Sequence, residues 1–177
     1  MIYFITSNKH KYEEIKKIVK NVKMLTIPYP EIQANELEEV VVYGIEYLKE
    51  KVDGNFFIED SGLFIKSLND FPGVYSSFVF KTIGNKGILK LMENKRNREA
   101  FFASVIGYYD GKINLFKGIC KGKIAREEKG NNGFGYDPIF IPEGKRKTFG
   151  EMEIEEKNLY SHRSKAVKKF IDFLKYS

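Results

Sequence analysis

The segment from residue 100 to residue 124 constrains the fold most. Residues 100–109 and 112–124 are two strand-like runs joined by Asp110-Gly111, a pair suited to the type I′ turn of a β-hairpin. The rest of the chain alternates between strand and helix patterns. Residues 1–6 read as a buried strand, and Tyr12, Ile15, Val19 and Val22 recur at helical spacing after it. Asn35 followed by Glu38 resembles a capping box. Leu37, Val40, Val41, Gly44, Ile45, Leu48 and Val52 then form one face of an amphipathic helix. Residues 56–58 read as a short strand ending in Glu59-Asp60-Ser61-Gly62, residues 63–68 as a further strand, and residues 86–92 as a short helix. A glycine-rich loop over 130–138 leads to a brief strand at 139–141, and a final helix starts near Ser161. A long antiparallel hairpin among alternating strands and helices predicts an α/β or α+β fold, a mixed sheet with helical flanks.

The chain has 177 residues, which fits one domain or two lobes sharing a sheet. A chain of this size buries roughly 70% of its unfolded surface, enough for a core without staples. Its single cysteine, Cys120, excludes an internal disulfide and a cysteine-based zinc site, and suits a reducing compartment. No run approaches the ~20 apolar residues of a spanning helix. The apolar opening at 1–5 is too short for a signal-peptide core, so a cytoplasmic protein without membrane partners is expected. The net charge of +6 favours an anionic partner. A nucleic-acid-binding module would use that charge, but here acidic pairs such as Glu13-Glu14, Glu127-Glu128 and Glu155-Glu156 interrupt any basic stripe.

Local rules are broken in three places. Lys9, His10 and Lys11 occupy the first turn of one predicted helix, and His162 and Arg163 the first turn of another. That is the positive end of the helix dipole, where cations are disfavoured by about 0.3–1 kcal/mol each. Solvated surface cations are one reading; a bound anion would account for both helices, because their free N–H groups already point at it. Thr6, Ser7 and Asn8 would add donors. Next, Glu59 and Asp60 end an apolar strand and must alternate faces, while Pro30 frames Glu31 on an extended segment. Surface acids in a turn are one reading. The other is that Glu31 and Asp60 hold Mg²⁺, which takes one or two carboxylates plus water and phosphate oxygens. Finally, Phe134-Gly135-Tyr136-Asp137-Pro138 spaces two aromatics by glycine, giving either core rings or faces for a base to stack on.

Taken in order, Thr6-Ser7-Asn8-Lys9-His10-Lys11, Pro30-Glu31-Ile32-Gln33, Glu59-Asp60-Ser61-Gly62, Pro72-Gly73, Phe134-Gly135-Tyr136-Asp137-Pro138 and Ser161-His162-Arg163 resemble the inosine triphosphate pyrophosphatase family. The resemblance spans the first strand to the last helix. It implies one domain over residues 1–177 with an elongated central sheet, two lobes and the active-site cleft between them, in a homodimer. It implies Mg²⁺-dependent hydrolysis of ITP, dITP and XTP to the monophosphate and pyrophosphate, which clears deaminated purines from the nucleotide pool. By position, Thr6, Ser7, Asn8, Lys9, His10, Lys11, Ser61 and Lys157 match substrate contacts. Phe134, Gly135, Tyr136, Asp137, His162 and Arg163 match the base pocket. Glu31 and Asp60 match metal ligands, and Asp60 the proton acceptor.

Two positions depart from the family pattern. Glycine commonly follows the threonine where Ser7 stands, and Tyr47 takes the place of a phosphate-contacting lysine, with Lys49 as a substitute nearby. Asp60 is a weak base at its reference pKa near 3.9, so it needs a metal-acidified water or a raised pKa. Selectivity follows from the C6 oxygen of hypoxanthine and xanthine, an acceptor where adenine carries a donor. Donors aimed there would go unpaired with ATP, and such sites discriminate by about 10⁴-fold or more. A catalytically inert nucleotide sensor would bind the same ligands without turnover.

Overall fold

Strand β1 (Ile2–Ile5) lies between two parallel neighbours, β2 (Val22–Leu25) and β3 (Phe56–Ile65), in a computed structural model that describes residues 2–176. Met1, placed in the first strand by the sequence, and Ser177, the end of the expected domain, lie outside the described residues. The spacing of apolar residues over 12–22 predicts a single helix, but α1 (Lys9–Lys16) starts and stops earlier. The chain then turns through Asn21, at φ 63°, into β2. Asparagine tolerates that left-handed conformation, and it redirects Val22 into the core from a strand.

The β3 strand also differs from expectation. The sequence suggests two short strands broken at residues 59–62, whereas β3 runs unbroken through Glu59-Asp60-Ser61-Gly62. Its first half pairs with β1, and its end pairs antiparallel with β4 (Phe71–Pro72). The two acids do not break it because Glu59 is neutralised inside the protein, as described below. The hairpin forms as expected, as β5 (Glu99–Tyr109) and β6 (Ile113–Ile124). Its turn is not type I′. Of Asp110 and Gly111 only the glycine has positive φ, at 102°, and the loop closes by Asp110 N–H donating to the Lys112 carbonyl at 3.3 Å. With β7 (Phe140–Pro142) the sheet order is β2-β1-β3-β5-β6-β7, and β4 branches from β3.

Five further α-helices lie among the described residues. In α2 (Leu37–Leu48) the capping contact sits one residue later than predicted, with the Glu39 carboxylate accepting from the Glu36 N–H at 3.1 Å. The helix buries the six apolar-face residues expected of it within this span. The short α3 (Ser76–Thr82) and α5 (Ile154–Lys157) lack a clear periodic signal; α4 (Gly84–Leu91) and α6 (His162–Lys175) fall where the sequence puts them. Among the described residues no helix is long and apolar enough to cross a membrane.

The chain divides into two compact units. The first takes the chain up to Ser61, Ser104–Gly118 and the stretch from Arg163 onward; the second takes Gly62–Ala103 and Ile119–His162. Each has its own core. In the first, Phe4 stacks on Phe57 at 4.6 Å, with Ile15, Ile106, Val167 and Phe170 around them. In the second, Phe102 meets Phe140 edge-on at 4.7 Å among Leu63, Ile88, Ile139 and Phe149.

Candidate active site

Thr6, Ser7 and Asn8 lead out of the C-terminal end of β1, the end of a parallel strand at which α/β sheets bind ligands. Asn8 caps α1: its Oδ1 accepts from the Lys11 N–H at 3.1 Å, and its own N–H donates to Thr6 Oγ1 at 3.1 Å. Ser7 has no positive φ, so a side chain at this position strains nothing. Lys9 and His10 are exposed.

The cations at the two helix starts have partners within the protein. Lys11 Nζ pairs with Glu59 Oε2 at 2.8 Å and donates to the Glu59 carbonyl at 3.3 Å. The Arg163 side chain, 2% exposed, donates from Nε to Glu59 Oε1 at 3.1 Å, from Nη1 to Glu14 Oε2 at 2.5 Å and from Nη2 to Ser61 Oγ at 2.9 Å. Ser104 Oγ donates to Glu59 Oε1 at 2.6 Å. Two buried carboxylates, Glu14 and Glu59, thus give Lys11 and Arg163 partners of opposite charge inside the protein. Burial works against ionising Glu59, but the charges of Arg163 and then Lys11, with hydrogen bonds from Lys11 and Ser104, outweigh it and hold the pKa at about 2.

Asp60, the next residue, is half-buried and behaves in the opposite way. Burial raises its pKa to about 6; Lys11 opposes this, while the charges of Glu59 and Glu31 add to it. Its Oδ1 accepts from the Ser61 N–H at 2.9 Å. Tyr29 belongs to the same neighbourhood, and burial, then Asp60, Glu31 and Glu59, push its phenol pKa up. Gly44 on α2 makes room for it, because a Cβ there would meet the Tyr29 ring at 3.0 Å and Ile58 at 2.7 Å. The sequence argument assigned no role to Tyr29, Glu14 or Ser104; the only local hint was Tyr29 set between two prolines.

Glu31 and Asp60 offer two hard oxygen donors from separate segments, and the Glu31 charge disfavours ionisation of Asp60. That donor chemistry fits a Mg²⁺ completed by water and phosphate oxygens. Among the described residues no three His, Cys, Asp or Glu side chains cluster tightly enough to hold a metal alone. Tyr47 does not replace a phosphate-binding lysine by itself: its hydroxyl accepts from Lys51 Nζ at 2.9 Å, while Lys49 pairs with Glu46 at 2.6 Å.

The predicted base-pocket residues, apart from Arg163, lie in the second unit. Lys157 Nζ pairs with Asp137 Oδ2 at 2.7 Å, and both side chains are buried. The same ammonium lies 5.1 Å from the centre of the Phe134 ring, and Asp137 Oδ2 also accepts from the Phe134 N–H at 3.0 Å. Gly133 permits this fold-back. Its φ is 71°, and a Cβ would fall 2.1 Å from Asp137 Oδ2. Phe134 and Gly135 border a recess of about 430 Å³ with Phe80, Asn85 and Pro138. Two residues matched to the base pocket, Tyr136 and His162, are buried. The Tyr136 ring is buried, with its hydroxyl donating to the Ser76 carbonyl at 2.6 Å, and His162 stacks on Phe102 at 4.5 Å.

Carboxylates beside paired cations, with a helix-capping loop at the C-terminal end of β1 in a mixed α/β sheet, fit an enzyme that handles anionic, phosphorylated substrates. The chain belongs to the Ham1 family, whose model matches residues 2–173. It is 57% identical over 179 residues to a dITP/XTP pyrophosphatase of Pyrococcus horikoshii, covering 98% of this chain and 96% of that one. It is 53% identical over 176 residues to one of Thermococcus kodakarensis, covering 97% and 96%. Among solved structures, the Staphylococcus aureus Ham1 protein superimposes with a TM-score of 0.86 at 28% identity, covering 98% of this chain and 97% of that one. A HAM1 protein from Coxiella burnetii gives 0.85 at 28% identity, covering 99% and 98%.

Proposed function

We propose that this chain hydrolyses dITP, XTP and ITP between the α and β phosphates, giving the nucleoside monophosphate and pyrophosphate. The observation that carries this reading is the pair of carboxylates in the middle of β3: Glu59 is tied to Lys11 at 2.8 Å and to Arg163 at 3.1 Å and held at a pKa of about 2, while burial raises its neighbour Asp60 to about 6. A carboxylate titrating near neutrality can accept the proton of an attacking water while its neighbour remains a structural anion. Glu31 and Asp60 would hold Mg²⁺, and that ion, when bound, would help to neutralise the triphosphate oxygens.

The chain's own residues do the rest. Thr6, Ser7 and Asn8 offer donors to the triphosphate at the start of α1, where Lys9 and His10 add exposed positive groups. Lys11, tied to Glu59, keeps positive charge beside Asp60. Ser61 holds the Asp60 carboxylate through its N–H. In the second unit the Phe134 ring offers a stacking face, and Lys157 Nζ offers a donor for the C6 oxygen of a base stacked there. Adenine, with an amine at C6, leaves that donor unmatched. Steady-state turnover tests the reading: kcat/KM for dITP should exceed that for dATP by about 10²-fold or more. Phe134→Ala should raise KM for dITP. Equal rates on dATP, or an unchanged KM in the variant, would remove the base-pocket assignment.

The protein functions as a cytoplasmic homodimer in this reading. Support comes from the second unit, where Phe78 is 69% exposed and Tyr75 and Ile83 are also exposed, more aromatic surface than a short segment leaves to water alone. Sedimentation velocity should give twice the chain mass; a monomer at micromolar concentration would contradict it.

A further inference from the structure

Glu14 has no part in the reaction described above, and its sequence setting hides it. It follows Glu13 on α1, and both read as helix-surface acids. The structure separates them: Glu13 is exposed, whereas Glu14 is 2% exposed. A carboxylate is buried at that depth only against a partner charge. The partner is Arg163, whose guanidinium fork reaches three groups at once: Glu14 through Nη1, Glu59 through Nε and Ser61 Oγ through Nη2. Because the fork is planar and rigid, these three contacts fix one another.

The contacts continue along β3 to Asp60. Arg163 Nη2 donates to Ser61 Oγ at 2.9 Å, and the Ser61 N–H donates to Asp60 Oδ1 at 2.9 Å. Two buried carboxylates, Glu14 and Glu59, thus face two cations, Lys11 and Arg163. Without the charge of Glu14, Glu59 is the remaining carboxylate of the set, and a guanidinium prefers to meet a carboxylate with two parallel N–H bonds. Rotation towards Glu59 takes Nη2 off Ser61.

We propose that Glu14 is a positioning residue for Asp60, acting through Arg163 and Ser61 to fix the middle of β3, which carries the proton acceptor. The proposal rests on the pyrophosphatase reading, since it assigns Glu14 a task in that reaction. A purely architectural brace would affect stability and leave kcat alone.

Glu14→Gln keeps the volume and an acceptor oxygen but removes the charge. With saturating Mg²⁺ and dITP, kcat should fall about 10²-fold, the size expected when a reacting group moves by about 1 Å, while KM changes little. Glu14→Asp should restore much of the loss, and Glu13→Gln should match the parent protein. Ser61→Ala should lower kcat too, and adding Glu14→Gln to it should lower kcat no further, because both changes cut one chain of contacts. In the metal-free protein the Ser61 amide resonance should shift in Glu14→Gln and not in Glu13→Gln. Should Glu14→Gln fail to fold, Arg163→Lys, which keeps the charge balance but loses the fork, should show the same loss of kcat. A folded Glu14→Gln or Arg163→Lys with parental kcat, or losses that multiply with Ser61→Ala, would overturn the proposal. A parent enzyme inactive on dITP would reject the underlying reaction instead.

Discussion

Asp60→Asn should abolish turnover and, in the metal-free protein at pH 8, make the fold more stable. The Asp60 pKa is raised from 3.8 to about 6, by burial first and then by Glu59 and Glu31 against the opposing Lys11. A group whose folded pKa is raised contributes stability below its unfolded pKa and loses it as pH rises through the folded value. Above about pH 6 the native state therefore holds an unfavourable carboxylate. Asparagine removes that charge and should add roughly 1–3 kcal/mol at pH 8, by the linkage for a shift of about two units. The gain should largely vanish at pH 4, where native Asp60 is protonated. The same change removes the proton acceptor, and loss of such a group lowers rate by about 10²–10⁴-fold. Thermal unfolding in chelator at both pH values, with dITP turnover on the same samples, checks both halves. Retained turnover, or no stability gain at pH 8, would contradict the account. Catalytic need and fold stability oppose each other at this residue.

Glu59→Gln should do the reverse. The folded pKa of Glu59 lies at about 2, down from 4.5, so its stabilisation is present above the unfolded value and lost as pH falls through the folded one. Replacing it leaves Lys11 and the buried Arg163 facing a neutral amide. Breaking one side of a buried charge network costs about 3–5 kcal/mol. For a chain of this size that lowers Tm by roughly 6–20 °C. Scanning calorimetry at pH 7 checks it; a fall of under about 2 °C would show that Glu14 alone holds Arg163. Two adjacent carboxylates on one strand thus carry opposite thermodynamic signs, which their alternation across β3 makes possible.

Much of this was legible in the residues. The hairpin, the apolar face of α2, the non-helical Tyr29-Pro30-Glu31 segment and the final helix all follow from local pattern. Local pattern failed where distant residues decide. The Val19 and Val22 positions fit a helix until Asn21 turns the chain into β2. Glu59-Asp60-Ser61-Gly62 looks like a turn because nothing local reveals that Arg163, over a hundred positions away, neutralises Glu59 inside the sheet. Cations at two helix starts pointed to nearby negative charge, but nothing local shows that Glu14 and Glu59 supply it to Lys11 and Arg163. Glu14 itself was invisible, since a buried acid and a solvated one share the same helix spacing. Tyr136 and His162 show the converse, motif positions whose side chains pack in the core.

The central claim is attack by water at the α-phosphorus of a deaminated purine triphosphate. Hydrolysing dITP with Mg²⁺ in H₂¹⁸O tests it most directly. The account predicts one labelled oxygen in dIMP and none in the pyrophosphate released; label in the pyrophosphate, or orthophosphate and dIDP as products, would contradict it.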